Sequence, residues 1–359
     1  MPPRSAGLQT HIWNNNLKSL ILLGIYPFLI MFLVWLCALV TGAMTTSHPT
    51  YGSNDNALMV DFANNILYEY WPAITAIVAI WFCISYFFHT SMIAKMSHAH
   101  PVTRLEEPEL YNLLENLCIA EGMTMPKFNI IESHALNAFA SGINDKTFTV
   151  TLTRGLINRL SKEELEGVIA HELTHIKNRD VRLLMITIVF TGMVGLAAQL
   201  VWSSVRYNLY FGRSRDRKGG GVLLLLAIAA ILWIGYMATL LMRFALSRRR
   251  EYMADAGAVQ MTKNPEAMIR ALMRISGRDQ IPGATADIAF MCIENTAPFM
   301  GIFATHPPIE KRLQAISHTT GTPIPESLPP VSQRSLPSER RNPWLPKERA
   351  FRNKNHKQE

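Results

Sequence analysis

Cysteine is scarce in this sequence, with four residues in 359, and Cys37, Cys83, Cys118 and Cys292 never fall at CxxC spacing. That excludes a disulfide framework and a thiolate metal site, and fits a polar part kept in a reducing compartment. Charge is almost missing from four long apolar runs: Ser19–Met44, Trp71–Phe88, Leu183–Val205 and Gly221–Leu246. Such runs carry no polar stripe, so they are not surface helices of a soluble core; about 20 apolar residues suffice to cross a bilayer. The near-absence of charged groups within them, Arg243 alone in the fourth, also argues against a transporter, whose pathway would need such groups. No nucleic-acid motif accompanies the net charge of +8, which is concentrated in the tail from Val331. Attraction to an anionic membrane surface explains that charge better than nucleic acid does. No internal repeat is present. A cleavable leader is not expected, because the first apolar run exceeds a 7–15-residue signal core and Thr41-Gly42-Ala43-Met44 is a poor cleavage site.

Lys and Arg are absent from Thr45–Glu69, whereas Asp55, Asp61 and Glu69 stand there and Arg4 and Lys18 precede the first run. The positive-inside rule places the N-terminus in the cytoplasm and that loop outside. Parity then puts His89–Asp180 and everything from Ser247 onward in the cytoplasm, in agreement with Arg248-Arg249-Arg250. One stretch conflicts. The connection between the third and fourth runs carries Arg206, Arg213, Arg215, Arg217 and Lys218 against Asp216 alone, although parity makes it external. Either translocation overrides these charges or the hairpin does not fully cross.

In the polar part, Leu105–Met123 has helical periodicity through Leu110, Leu113, Leu114, Leu117 and Cys118. Short strands are expected at Lys127–Ile131, Asn137–Ala140 and Thr147–Thr153, the last two separated by the turn Gly142-Ile143-Asn144-Asp145. Helices follow at Arg249–Thr262, after the Asn264-Pro265 start signal, and at Pro308–Ile316. From Thr319 onward the Pro-, Ser- and Arg-rich chain lacks apolar periodicity and reads as a disordered tail.

The chemistry is concentrated in His171-Glu172-Leu173-Thr174-His175. Residues four apart on a helix lie about 5–6 Å apart on one face, so both imidazoles can bind one Zn²⁺ while Glu172 reaches a water beside it. Alone, the pattern is also met as two solvated histidines, but Ser161-Lys162-Glu163-Glu164 has the form of a capping box that starts a helix through it. Charges at Lys162–Glu166 and Lys177–Asp180 place the motif at the membrane's cytoplasmic face, with the helix running through Asp180 directly into the third apolar run.

A catalytic zinc needs a third protein ligand. The pattern with a third His six residues on is excluded by Val181, and the third apolar run contains no Asp, Glu or His. Asp180 projects onto a different helix face from His175. The third ligand is therefore expected beyond the fourth run, in Arg250-Glu251-Tyr252-Met253-Ala254-Asp255-Ala256-Gly257-Ala258. Glu251 is expected to bind zinc, and Asp255, one turn on, to hold the far nitrogen of a ligand histidine; an ordinary ion pair with the arginines is the plain alternative. Asn178, one turn beyond His175, is a candidate to support it. His306, ahead of Pro307-Pro308, is a candidate donor to the oxyanion of the reaction. His98, His100 and His134 read as surface residues, and Arg312 receives no role.

His171-Glu172-x-x-His175, then Arg249-Arg250-Glu251-Tyr252-x-Ala254-Asp255, then Thr305-His306-Pro307-Pro308 together resemble the HtpX-like integral-membrane zinc metalloproteases, relatives of the CAAX prenyl proteases. The resemblance covers the chain from the first span to about Ser317, and the tail has no counterpart. It implies His171, His175 and Glu251 as ligands of one Zn²⁺ per subunit, Glu172 as base, and support from Asp255 and His306. It also implies that Asn137-Ala138-Phe139 is an edge strand that binds substrate backbone. The implied activity is endopeptidase quality control of misfolded membrane or unfolded proteins, in a bacterial inner membrane with the active site facing the cytoplasm. A CAAX-type prenyl-protein endopeptidase is the nearest alternative; a scaffold or transporter ranks lower. Lipid is the expected partner besides substrate, nucleic acid is not, and no oligomeric state is implied.

The expected fold is mainly α: a multi-span helical membrane protein with a cytoplasmic zincin-like α+β catalytic domain, a small β-sheet plus the motif helix. Its expected parts are an anchor over 1–88 with spans 19–44 and 71–88, a first catalytic part over 89–182, a hydrophobic hairpin over 183–246, a second catalytic part over 247–318, and the tail 319–359.

Overall fold

The computed structural model describes residues 8–45, 55–211, 220–245, 249–276 and 308–328, which form ten helices and four strands. Four helices are long and apolar enough to cross a membrane: α1 (Leu8–Thr45), α2 (Asp55–Ser97), α6 (Asp180–Phe211) and α7 (Gly220–Ala245). Their apolar windows have mean hydropathies between 1.8 and 2.4. Phe28, Ile77, Phe87 and Ile234 turn outward from the bundle, as side chains facing lipid do. Inside it, Tyr26 stacks on Phe190 with ring centroids 4.3 Å apart. Trp81 donates its indole N–H to the Val189 carbonyl at 3.0 Å, tying α2 to α6.

The second apolar run departs from expectation. The residues read as an external loop up to Glu69 are helical from Asp55, because Met59, Phe62, Ala63 and Ile66 continue the apolar face and Asp61 points outward. At 1.5 Å per residue, α2 is about 64 Å long, twice a hydrocarbon core of about 30 Å, so it extends beyond the membrane. Its far end joins the polar domain, where Asn144 donates to the Tyr86 hydroxyl at 3.2 Å.

The polar domain is built on a four-stranded sheet of order β1-β2-β4-β3: β1 (Ala99–Pro101), β2 (Lys127–Ile131), β3 (Ala138–Ser141) and β4 (Thr149–Thr153). β2 runs parallel to β4, while β1 and β3 are antiparallel to their neighbours. The β3–β4 turn needs its glycine. Gly142 has φ +112°, and a Cβ there would lie 2.5 Å from the Thr147 carbonyl oxygen. β1 and α4 (Arg154–Arg159) were not anticipated, both being too short to show periodicity. α3 (Pro108–Ala120) begins later than its apolar pattern because Pro108 starts the first turn.

α5 (Lys162–Lys177) carries the motif through the middle of the core, with Leu165, Val168, Ile169 and Leu173 fully buried. Its capping box is formed: Ser161 N–H donates to Glu164 at 2.9 Å and Glu164 N–H to Ser161 Oγ at 3.3 Å. Arg274 of α9 (Pro265–Ile275) donates to the same Glu164 carboxylate at 3.0 Å, which docks α9 on the start of α5.

The motif helix does not run on into the membrane. It ends at Lys177 with Asn178 as C-cap; Arg179 takes φ +60°, and α6 starts afresh at Asp180. A left-handed residue without glycine costs on the order of 1–2 kcal/mol, so tertiary contacts hold this corner. Arg179 contributes two of them, an ion pair to Asp145 at 2.7 Å and a stack over Phe148. At the other end of the domain, α10 (Ile309–Thr320) continues past the expected tail boundary at Thr319 and stops at Gly321, whose φ is +73°. Residues 329–359 and the basic connection after Phe211 lie outside the described residues.

Candidate metal centre

α8 (Arg249–Thr262) crosses α5 at close range, and small residues make the approach possible. Ala254 and Ala258 are fully buried, and a Cβ on Gly257 would lie 2.4 Å from Thr174 Cγ2. The crossing brings Glu251 over the motif. Its carboxylate lies 3.6 Å from His171 Nε2 and 3.6 Å from His175 Nε2. One ligand atom from each of the three residues falls within 4.8 Å of the others.

Each histidine turns its other nitrogen to an aspartate. His171 Nδ1 lies 3.0 Å from Asp255 Oδ1, and His175 Nδ1 lies 3.2 Å from Asp180 Oδ2. With Nδ1 turned to an aspartate, each imidazole points its Nε2 toward the Glu251 carboxylate. Ligands on a tetrahedral ion with bonds of 2.0–2.1 Å stand about 3.3–3.4 Å apart, close to the 3.6 Å that separates the Glu251 carboxylate from each Nε2. The residues therefore fit a divalent metal of the zinc type.

Arg312, without a role from sequence, is the most buried charge of the site. It donates to Asp255 through Nε at 2.9 Å and through Nη2 at 2.7 Å, and it is fully buried. Nη2 also lies 3.5 Å from His171 Nε2, and Nη1 lies 3.8 Å from Glu251. A signal for it existed. Ile309, Arg312, Leu313 and Ile316 form the buried face of α10, so the arginine occupies a core position in an apolar stripe.

These contacts set the site's electrostatics. Burial depresses the His171 pKa, but Asp255 and Glu251 outweigh it and hold the metal-free imidazole at about 9. Burial pushes Asp255 up, and the Arg312 charge with the His171 contact brings it below the usual carboxylate range. Arg312 itself is opposed by burial and raised by Asp255, Glu251 and Glu172, so it stays charged.

Of the remaining expected residues, Glu172 is buried on α5, next to His171 in the chain. Asn178 is buried as the C-cap of α5, with its N–H bonded to the Thr174 carbonyl at 2.9 Å. The His175 ring is met at Nδ1 by Asp180. The projection that put Asp180 on another face assumed a straight helix, and the corner at Arg179 folds it back. Asn137, Ala138 and Phe139 stand at the sheet edge as expected, yet they are buried. Thr153 N–H bonds the Asn137 carbonyl at 3.0 Å, so alternation turns the Ala138 and Ala140 backbone groups toward the free edge. Asn137 Oδ1 accepts the Ala138 N–H at 2.8 Å. His98, His100 and His134 are exposed as expected, and His306 lies outside the described residues.

Two histidines and a glutamate drawn together on helices that lie next to apolar spans in the chain are what a membrane metallopeptidase requires. The chain belongs to peptidase family M48, whose profile matches residues 104–320. It is 46% identical over 317 residues to a protease HtpX homolog of Bacteroides fragilis, covering 86% of this chain and 97% of that one. A protease HtpX homolog of Ligilactobacillus salivarius is 37% identical over 238 residues, 64% of this chain and 79% of its own. Among solved structures, that of S. mikatae Ste24p is similar at 18% identity and a TM-score of 0.41, covering 85% of this chain and 66% of that one. The protein is thus an HtpX-like bacterial membrane metalloprotease.

Proposed function

We propose that the metal is zinc, one ion per chain held by His171, His175 and Glu251, and that the enzyme hydrolyses peptide bonds of misfolded membrane or unfolded proteins. The observation that carries this reading is the convergence of two Nε2 atoms and one carboxylate, with both Nδ1 atoms already engaged by aspartates. When bound, the metal supplies Lewis-acid polarisation of the scissile carbonyl and lowers the pKa of the attacking water. Glu172 takes that water's proton and passes it to the leaving amine. Asp255, held by Arg312, keeps the His171 ring in one tautomer. His306 is two residues ahead of Pro308, the N-cap of α10, and α10 is anchored at the site through Arg312. That tether supports its assignment as the second donor to the oxyanion. Substrate backbone would pair with β3 at Ala138 and Ala140, with Asn137 releasing the Ala138 N–H as the strand arrives.

The catalytic domain is assigned to the cytoplasmic side of the inner membrane. Support comes from the acidic residues Asp55, Asp61 and Glu69 at one end of α2 and from Arg249 and Arg250 at the start of α8. A reporter fused near Ser214 tests this topology, and a cytoplasmic signal there would overturn a fully crossing hairpin. The chemistry is tested by purifying wild type and Glu172→Gln in detergent. Both should hold stoichiometric zinc, and casein cleavage should drop by about 10²–10⁴ in the variant. Equal cleavage by the two, or wild type without zinc, defeats the reading.

A further inference from the structure

The two ligand histidines are oriented by different parts of the chain, and the partner of His175 has a position that the proposed chemistry does not explain. Asp180 is the first residue of α6, at the base of the hydrophobic hairpin, and is 3% exposed. Its Oδ2 lies 3.2 Å from His175 Nδ1, while Oδ1 lies 3.8 Å from Arg250 Nη1. The same Arg250 Nη1 donates to the Asp180 main-chain carbonyl at 3.3 Å. Arg250 directly precedes the ligand Glu251, in the first turn of α8. All of the hairpin, α6 and α7, lies in the chain between Asp180 and Arg250. One aspartate therefore touches a metal ligand, opens the hairpin, and is gripped by the residue that closes it.

We infer that Asp180 is a positioning residue for His175, and that its clasp by Arg250 makes metal ligation depend on the closed base of the membrane hairpin. This inference rests on the metal-site reading above. A carboxylate accepting Nδ1–H fixes the ring and directs Nε2 to the metal, and loss of such a partner typically weakens metal affinity 10–100-fold. Arg250 holds the carboxylate and the backbone behind it together, so the Asp180 side chain cannot swing from the ring while the hairpin base stays shut. A second consequence concerns assembly. His171 and His175 arrive on α5, but Glu251 arrives only after two membrane helices. The Asp180–Arg250 contact brings the two sides into register at the position next to the third ligand.

The plain alternative is that Asp180 only favours the start of α6, as a negative charge at a helix N-terminus does. Such a role would alter stability without altering zinc affinity in the folded protein. The test is zinc affinity by chelator competition on full-length protein in detergent, with the visible spectrum of the Co²⁺-substituted form. Asp180→Ala should weaken zinc binding 10–100-fold and change the Co²⁺ spectrum. Arg250→Gln should do so about threefold to tenfold. The double variant should fall short of the product of the two, because both act through one contact. Should Asp180→Ala fail to fold, Asp180→Asn keeps the shape and an acceptor while losing the charge, and is expected to weaken binding about fivefold. Binding within twofold of wild type in the folded aspartate variant, or fully multiplicative effects, overturns the inference. Wild type and Glu172→Gln serve as the reference. If they bind zinc tightly and the Asp180 variant binds equally well, only the inference fails; if they bind none, the metal-site reading fails first.

Discussion

The two arms of the site repeat one arrangement in two surroundings. His171 leans on Asp255, and Asp255 on Arg312; His175 leans on Asp180, and Asp180 on Arg250. The first arm is sealed, with Arg312 and Asp255 at 0% and 2% exposure and two short hydrogen bonds between them. The second stands at the corner between the catalytic domain and the membrane, where the Arg250 side chain is 16% exposed and its grip is longer. The difference teaches that similar side chains can serve as a rigid foundation on one side and as a joint on the other. Low dielectric strengthens a fully satisfied network and makes a broken one costly.

The largest effect is expected from breaking the sealed arm. Asp255→Ala leaves the Arg312 guanidinium buried without its partner, at a cost of about 3–5 kcal/mol. It should lower the melting temperature of the metal-free protein far more than Asp180→Ala does. Equal losses would mean that the two arms are not different in kind.

Next comes the crossing that joins α5 to α8. Gly257→Ala puts a methyl group into Thr174 and should cost about 1–3 kcal/mol while moving Glu251 away from both histidines. Thermal melts and zinc titration should both respond; a melting change with unaltered zinc affinity would separate the crossing from the site.

The proton held by the sealed arm can be read by pH. His171 rises from 6.5 to about 9 in the metal-free protein, so the stability it adds is fully present below pH 6.5 and is lost as pH rises through 9. Zinc must displace this proton. Its uptake should therefore release a proton between those values, and its apparent affinity should climb by up to about tenfold per pH unit until it levels near pH 9. Calorimetry at pH 7.5 in buffers of different ionisation enthalpy measures that release, and a buffer-independent heat would contradict it.

The smallest effect is expected at the corner itself. Arg179→Gly relieves a left-handed residue by about 1–2 kcal/mol but gives up a surface ion pair worth up to about 1 kcal/mol. The net change should stay within about 1 kcal/mol. A loss several times larger would show that the Arg179 side chain, more than the bend, keeps Asp180 beside His175.

Much of this was legible without coordinates. The capping box, the motif spacing, the three larger strands and the four apolar runs rest on contacts between neighbours in sequence, and the folded chain keeps them. Glu251 was reachable because an empty third run left no other acid. Asp180 was not, because a straight helix puts it on the wrong face; the burial of Arg312 was legible in its apolar stripe, but its partners, 57 and 141 positions away, were not. The start of α2 was misplaced for a related reason. Charge balance marked where the chain is acidic but not where its helix begins.

By itself the sequence determined the local chemistry of this protein: two histidines four apart on a capped helix, a carboxylate beside them, and apolar runs long enough to anchor them. Tertiary structure decided which groups stand behind those histidines. That choice depends on a backbone corner at Arg179, a glycine-mediated crossing at Gly257 and a cation buried from α10. Each joins residues distant along the chain or bends a helix that periodicity assumes straight.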